Sequence, residues 1–379
     1  MKKICCIFAC FMLAGCATEK PKEAPVDPVQ EVKEDIRVSF LAVGDNLIHG
    51  AVFSDPYQKM NDGTWNYDAF YEHVKPYLEG VDVKNINQET PLGGRELGLK
   101  HYPMFNGPQE IGTAVVNAGF NWISQASNHS MDAGETGILR QMNFWDQYND
   151  SIITTGMNRT QEEADTPRIL KVKGINIGLL NYTYGLNGLE TPKGKEYLVN
   201  VIDEAKIKAD IASLKKECDV MVASMHWGTE YQFVENAEQE ALAQLLSDEG
   251  VSVIIGAHPH VIQPMKYITG KDGNQTLVMY SLGNFLSAQD QNYRMLGGMG
   301  TWDLVKDGAT GKIRIEAVKF YPTVTHFNRI FQNFKVYLLK DYTDALASEH
   351  YLSTSISRQY FIDLTKEVIG TPEHIEVVY

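Results

Sequence analysis

Cysteine is scarce in this chain of 379 residues, and its placement is the first clue. Cys5, Cys6, Cys10 and Cys16 crowd the N-terminus, and Cys218 stands alone after them. If the leading stretch is removed on export and Cys16 is modified, only Cys218 remains free and no intramolecular disulfide can form in the mature chain. Positive charge is also in deficit. Lysine and arginine total 34 against 48 acidic residues, for a formal net charge of −14. Without a basic footprint, a nucleic-acid partner is not expected. Long hydrophobic runs are missing too. The apolar run from Ile4 to Leu13 is too short for a permanent membrane-spanning helix. No repeat of solenoid period is visible.

What is present begins with an address. Lys2 and Lys3 precede the apolar run, and small residues follow it, as in an export signal. The ending Leu13-Ala14-Gly15-Cys16 resembles the bacterial lipobox, in which the cysteine becomes the lipidated first residue. Residues 1–15 thus read as a lipoprotein signal peptide, with Cys16 as the lipidation site. Residues 16–35, rich in Lys, Glu, Pro, Val and Asp, read as a disordered tether. The expected location is the extracytoplasmic face of the bacterial membrane. Cys218, before an apolar strand, reads as a small buried residue.

From Arg37 onward, apolar strands alternate with helical spacing. Strands are expected at Arg37–Val43, Val81–Ile86, Trp122–Ala126, Ser151–Thr155, Ile169–Val172, Ile175–Tyr182, Val220–Met225, Val251–Ile255 and Leu277–Tyr280. Helices are expected at Tyr67–Leu78, Pro108–Ala118, Glu135–Tyr148, Asp203–Cys218 and Glu235–Glu249. That order favours a largely parallel sheet with flanking helices. After Gly297 the pattern turns antiparallel, with strands at Trp302–Val305, Ile313–Phe320, Thr323–Phe327 and Lys335–Leu338. The end, Tyr342–Ile369, reads as helical with a break. The expected fold is an α/β sandwich of two sheets flanked by helices, with the C-terminal strands extending the second sheet.

Ligand-type residues recur at strand ends. Asp45, Glu89, Asn128 with His129, His226, and His258 with His260 each follow an apolar strand. Such a set can meet at one sheet edge, where α/β proteins place ligands. Carboxylates, imidazoles and an amide oxygen suit manganese, iron or zinc. If the chain turns helical after Asp45, the i, i+4 spacing brings His49 onto the same face. Asp132 reads as a helix cap. His73, His101, His326, His350 and His374 read as structural.

The ordered set resembles the capsule-synthesis CapA family, also called PGA-cap or poly-γ-glutamate capsule biosynthesis, with a calcineurin-like metallophosphoesterase superfold. The resemblance rests on Val43-Gly44-Asp45-Asn46-Leu47-Ile48-His49, Asn87-Gln88-Glu89-Thr90-Pro91, Ser127-Asn128-His129, His226-Trp227-Gly228-Thr229-Glu230-Tyr231, Gly256-Ala257-His258-Pro259-His260 and Ser281-Leu282-Gly283-Asn284-Phe285. It implies two divalent metal ions. Asp45 and His260, with His49 as a further candidate, would hold one; Asn128, His226 and His258 would hold the other, and Glu89 would bridge. His129 would be the catalytic proton donor. Asn284, and Tyr184 and Asn187 in the loop from Tyr182 to Gly188, would line the substrate side. Two departures stand out: three residues separate Asp45 from His49, where the phosphoesterase motif has one, and glutamate replaces the bridging aspartate. On this reading residues 36–290 form a metallophosphatase-type domain, and residues 291–379 complete it. The implied function is a membrane-anchored lipoprotein of capsule or poly-γ-glutamate biosynthesis, a hydrolase or transferase if an enzyme. An anionic capsule polymer or its synthesis machinery is the implied partner. Two alternatives stay open: a metal-dependent phosphoesterase on an envelope metabolite, and a non-catalytic polymer-binding assembly module.

Overall fold

A computed structural model describes residues 34–379, together with Met1 and Gly15. Residues 2–14 and 16–33, which take in most of the signal segment and of the tether and include Cys16, lie outside the described residues. Glu34–Tyr379 forms one compact unit. No helix among the described residues is long and apolar enough to cross a membrane.

The first half of the unit gives β1 (Ile36–Asn46), β2 (Val83–Asn87), β3 (Trp122–Ser124) and β4 (Ile153–Thr155), paired in parallel in that order. The second half gives β5 (Arg168–Val172), β6 (Ile175–Thr183), β7 (Val220–His226), β8 (Val253–Ala257), β9 (Met265–Thr269) and β10 (Gln275–Met279). These form a second sheet in the order β5-β6-β7-β8-β10-β9. Lys173 and Gly174, both at positive φ, make the tight β5–β6 turn. After them come β11 (Asn284–Leu286), β12 (Leu296–Lys306), β13 (Ile313–His326), β14 (Lys335–Leu338) and β15 (Glu376–Val377).

The central strands β2, β3, β7 and β8 are buried on both faces, which explains their continuous apolar runs. Along β6, β7, β8 and β10 the side chains alternate between two cores. Leu179, Val222, Val253 and Leu277 face the first sheet and pack with Phe40, Ile86 and Trp302. Leu180, Ala223, Ile254 and Val278 face the other way, onto Ile207, Ile211 and Leu246 of the helices Glu204–Leu214 and Ala237–Asp248. Asp203 caps the first of these through Lys206 N. Asn236 caps the second in a reciprocal box with Gln239.

The mixed α/β architecture of two sheets with flanking helices matches expectation, but several local readings change. The C-terminal strands join the first sheet, not the second: β12 runs antiparallel to β1 from Ile36–Lys306 to Val43–Met299. Thr323–Phe327 is no separate strand. It continues β13 past Pro322, while a bulge near Thr301 and Ala317 at positive φ absorb the irregularity. Tyr67–Leu78 is not one helix: a single tight turn at Asp68–Phe70 precedes a short helix, Lys75–Leu78, which Pro76 opens, although Tyr67, Phe70, Tyr71 and Val74 are buried at helical spacing. Gly256 does not end its strand. It lies within β8, where an added Cβ would stand 1.9 Å from Tyr280 O. Cys218 is half-buried, with a free thiol pushed up by burial.

Candidate metal centre

The carboxyl ends of β1, β2, β7 and β8 deliver the candidate ligands. Asp45 lies inside β1, beside a register shift that follows Gly44. Its backbone N–H donates to Gly283 O at 2.9 Å. The chain stays extended after it, so Asp45 and His49 do not share a helical face. Asp45 Oδ1 accepts from Asn87 Nδ2 (2.8 Å) and His258 N (3.2 Å), and Oδ2 lies 3.1 Å from His260 Nδ1.

Glu89 sits just past β2, fully buried, and neither carboxylate oxygen has a hydrogen-bond partner. Its Oε1 is 3.8 Å from His226 Nε2 and 3.7 Å from His260 Nε2. Asn128 Oδ1 is 2.8 Å from His226 Nε2. His258 and His260 hold positive φ values of 97° and 58°, a strained conformation that turns both imidazoles toward the same cleft. His258 Nδ1 is buried without a partner.

Electrostatics follow from burial. Desolvation, reinforced by Asp45, holds the Glu89 carboxyl well above its usual range despite the pull of His260. Burial alone would lower His260, but the Glu89 and Asp45 carboxylates outweigh it and push the imidazole up to about 9. His226 and His258 lie well below the usual imidazole value, through burial and then the neighbouring imidazoles. Neutral imidazoles are the form that binds metal.

Three donor groups converge to within 4.8 Å among the described residues: Asp45–Glu89–His260, Glu89–His226–His258, and Glu230–His258–His260. Glu89 belongs to two of them. A buried carboxylate whose oxygens lack donors is costly unless a cation neutralises it. The orphaned Glu89 oxygens and the unpartnered His258 Nδ1 therefore fit divalent metal, and the mixed N/O donors match its chemistry.

The other expected residues fall into place unevenly. Tyr184 lies 4.6 Å from the His258 ring, and its hydroxyl donates to Asn187 Oδ1, which also accepts from Asn128 Nδ2. Asn284 Oδ1 is 3.2 Å from His260 Nδ1. Tyr182 belongs to β6, not the loop, and its hydroxyl donates to Asp210. His49 is outside the converging donor groups. Its Nδ1 lies 3.1 Å from Leu47 O and 3.3 Å from Ala288 N, and burial pushes it down to about 4.

Three neighbours escaped the sequence reading. Asn87 bridges Asp45 and His226, donating to the first and lying 3.3 Å from His226 Nδ1. Glu230 comes from the loop after β7. Asp132 is no helix cap, since Ala133 occupies that position; it pairs instead with His129 Nδ1 at 2.7 Å. The His-x-x-Asp spacing was its one available signal.

Residues 39–289 match the family described as "Bacterial capsule synthesis protein PGA_cap". The chain is 27% identical over 318 residues to PGA biosynthesis protein CapA of Bacillus subtilis (strain 168), covering 82% of this chain and 77% of the relative. It is 27% identical over 290 residues to capsule biosynthesis protein CapA of Bacillus anthracis, covering 72% of this chain and 65% of the relative, just under two thirds of its length. Among solved structures, a novel phosphatase from Mycoplasma pneumoniae aligns at a TM-score of 0.43 and 15% identity, over 77% of this chain and 95% of that one. A 5'-nucleotidase precursor from Thermus thermophilus aligns at 0.46 and 14%, over 80% and 54%. The two-sheet architecture rests on the strand order itself.

Proposed function

This chain belongs to the bacterial capsule synthesis protein PGA_cap family, and from that premise we propose that it serves capsule biosynthesis as an exported, lipid-anchored protein with a dinuclear metal site. The observation that carries the metal reading is Glu89, buried between His226 and His260 with both oxygens unpartnered. Asp45, Glu89 and His260 would hold one divalent ion. Glu89, Asn128, His226 and His258 would hold the other. Such a pair, when bound, polarises an acyl or phosphoryl oxygen and supplies hydroxide near neutral pH.

The chain's own residues have separable tasks. Asp132 would fix the His129 ring through Nδ1, leaving Nε2 as the atom that, once it has taken up a proton, passes it to a leaving group. Asn128 is oriented from both sides, by His226 and Asn187. Tyr184 and Asn187 offer the polar wall on which a ligand is positioned.

Metal analysis of the full-length chain tests this reading. The wild type should take up manganese or zinc, and His258→Ala should lose most of it. A wild type that holds no divalent ion after reconstitution ends the metal reading. Activity on aryl phosphates against activity on a γ-linked glutamate polymer separates a phosphoesterase from a polymer-processing enzyme. Binding of the polymer without turnover would favour an assembly module. For the address, Cys16→Ser should move the protein from the membrane to the soluble fraction; retention in the membrane would refute lipid anchoring.

A further inference from the structure

Arg294 lies just beyond the family-matched segment. Its guanidinium carbon stands 3.6 Å from the centroid of the Tyr231 ring. The Tyr231 ring lies 5.9 Å from that of His260. Tyr231 is at positive φ, and its N–H donates to Pro259 O at 2.8 Å, inside the His-Pro-His segment. The Arg294 main chain is tied to the same histidine. Its carbonyl accepts from Asn284 Nδ2 at 3.2 Å, and Asn284 Oδ1 lies 3.2 Å from His260 Nδ1. Side chain and backbone of Arg294 thus each reach His260 through one intervening residue.

Among the described residues, no carboxylate holds this charge. Arg37, Arg95, Arg140, Arg159 and Arg314 each pair with one, whereas Arg168, Arg329 and Arg358, like Arg294, do not. Arg294 has none within 4.0 Å among the described residues: Nη2 donates to the Tyr293 hydroxyl at 3.2 Å, and Nε is buried with no acceptor. Stacking on Tyr231 engages the guanidinium face and leaves Nη1 and the second hydrogen of Nη2 for an oxyanion.

We propose that Arg294 is an anion-recognition residue at the rim of the metal centre, and that it takes a carboxylate of the ligand. This rests on the proposed function in reading the cleft as the ligand site. A planar monoanion matches one fixed guanidinium.

The test uses the full-length chain as wild type, Arg294→Gln and Arg294→Lys. Metal content is measured on each. Calorimetric binding is measured with a short γ-linked glutamate oligomer and, separately, with inorganic phosphate. The expected result is oligomer binding by wild type, a loss of about tenfold or more in Arg294→Gln and a smaller loss in Arg294→Lys, at equal metal content. Equal oligomer affinity in wild type and Arg294→Gln overturns the proposal. So does absence of oligomer binding by wild type, or an Arg294 dependence seen with phosphate alone. A wild type that holds no metal, yet whose oligomer binding falls in Arg294→Gln, refutes the metal reading and sustains this one.

Discussion

Asp132 Oδ2 lies 2.7 Å from His129 Nδ1, and the same oxygen accepts the Phe105 backbone N–H at 2.6 Å. One carboxylate therefore fixes both the imidazole and the loop whose Phe105 ring packs edge-on against it, with centroids 4.6 Å apart. The arrangement demands the His129 tautomer with hydrogen on Nδ1. Asp132→Ala would remove the acceptor that holds the proton on Nδ1 and leave the imidazole to its usual Nε2–H tautomer. We expect long-range imidazole nitrogen–proton spectra to show the exchange, with a stability loss of about 1–3 kcal/mol. An unchanged tautomer would show that Asp132 does not set it.

Glu89 yields a prediction with opposite signs in two conditions. In the metal-free chain its carboxylate is buried without donors. Because its folded pKa is raised, its contribution to stability is present under acid conditions and is lost as pH rises past the ordinary carboxylate range. Glu89→Gln removes the charge at similar shape. At pH 8 the metal-free variant should be about 1–3 kcal/mol more stable than metal-free wild type. Adding manganese should stabilise wild type in a concentration-dependent way and leave the variant nearly unmoved. Denaturant titrations with and without chelator decide it; a metal-free variant less stable than wild type would contradict the account.

Gly256 supports the site from within β8. A Cβ there would sit 1.9 Å from Tyr280 O and 2.7 Å from Met279 O, both backbone atoms. Neither can move without shifting β10, and the Gly256 carbonyl itself accepts from Leu282 N at 3.1 Å. Gly256→Ala should cost about 3 kcal/mol and weaken metal uptake, because His258 is two residues on. Gly185→Ala, where an added Cβ meets nothing within 4 Å, is the matched control and should be close to neutral. Equal melting temperatures for the two variants would refute the close-approach argument.

The central strands were legible because burial on both faces leaves unbroken apolar runs, and their polar termini stood out against those runs. Asp45, Glu89, His226, His258 and His260 could be picked out on that contrast alone. Long-range placement was not legible. Nothing local in Trp302–Val305 says that it pairs with β1; that choice depends on packing, with Phe40 and Trp302 stacked at 5.0 Å. Asp132 looked like a cap because its partner depends on where the Phe105 loop closes. Glu230 lies on an exposed loop, where an acidic side chain is ordinary until folding brings it to two histidines.

A second histidine cluster, apart from the candidate metal centre, should govern acid stability. His326 and His350 are buried, with ring centroids 5.2 Å apart. Burial, then the neighbouring His350, pushes His326 down to about 3; burial pushes His350 down to about 4. The remaining charges felt by His326 are Lys335 and His73, both of which also disfavour its protonation. His350 Nδ1 accepts the Leu352 N–H at 2.9 Å, a bond that protonation there would abolish. Both folded values lie below the ordinary imidazole value of about 6.5. Their contribution is therefore whole above that pH and is lost as pH falls toward 4, because the unfolded chain takes up protons first. Each histidine should contribute up to about 2 kcal/mol of acid sensitivity between about pH 7 and 4.5. His326→Phe keeps an aromatic ring in the cluster and cannot titrate. Its denaturation midpoint should fall less steeply over that range than wild type, even if its stability at pH 7 is lower through loss of the Tyr342 hydroxyl contact at 3.0 Å. Parallel pH profiles for the two proteins would assign the acid sensitivity to other groups.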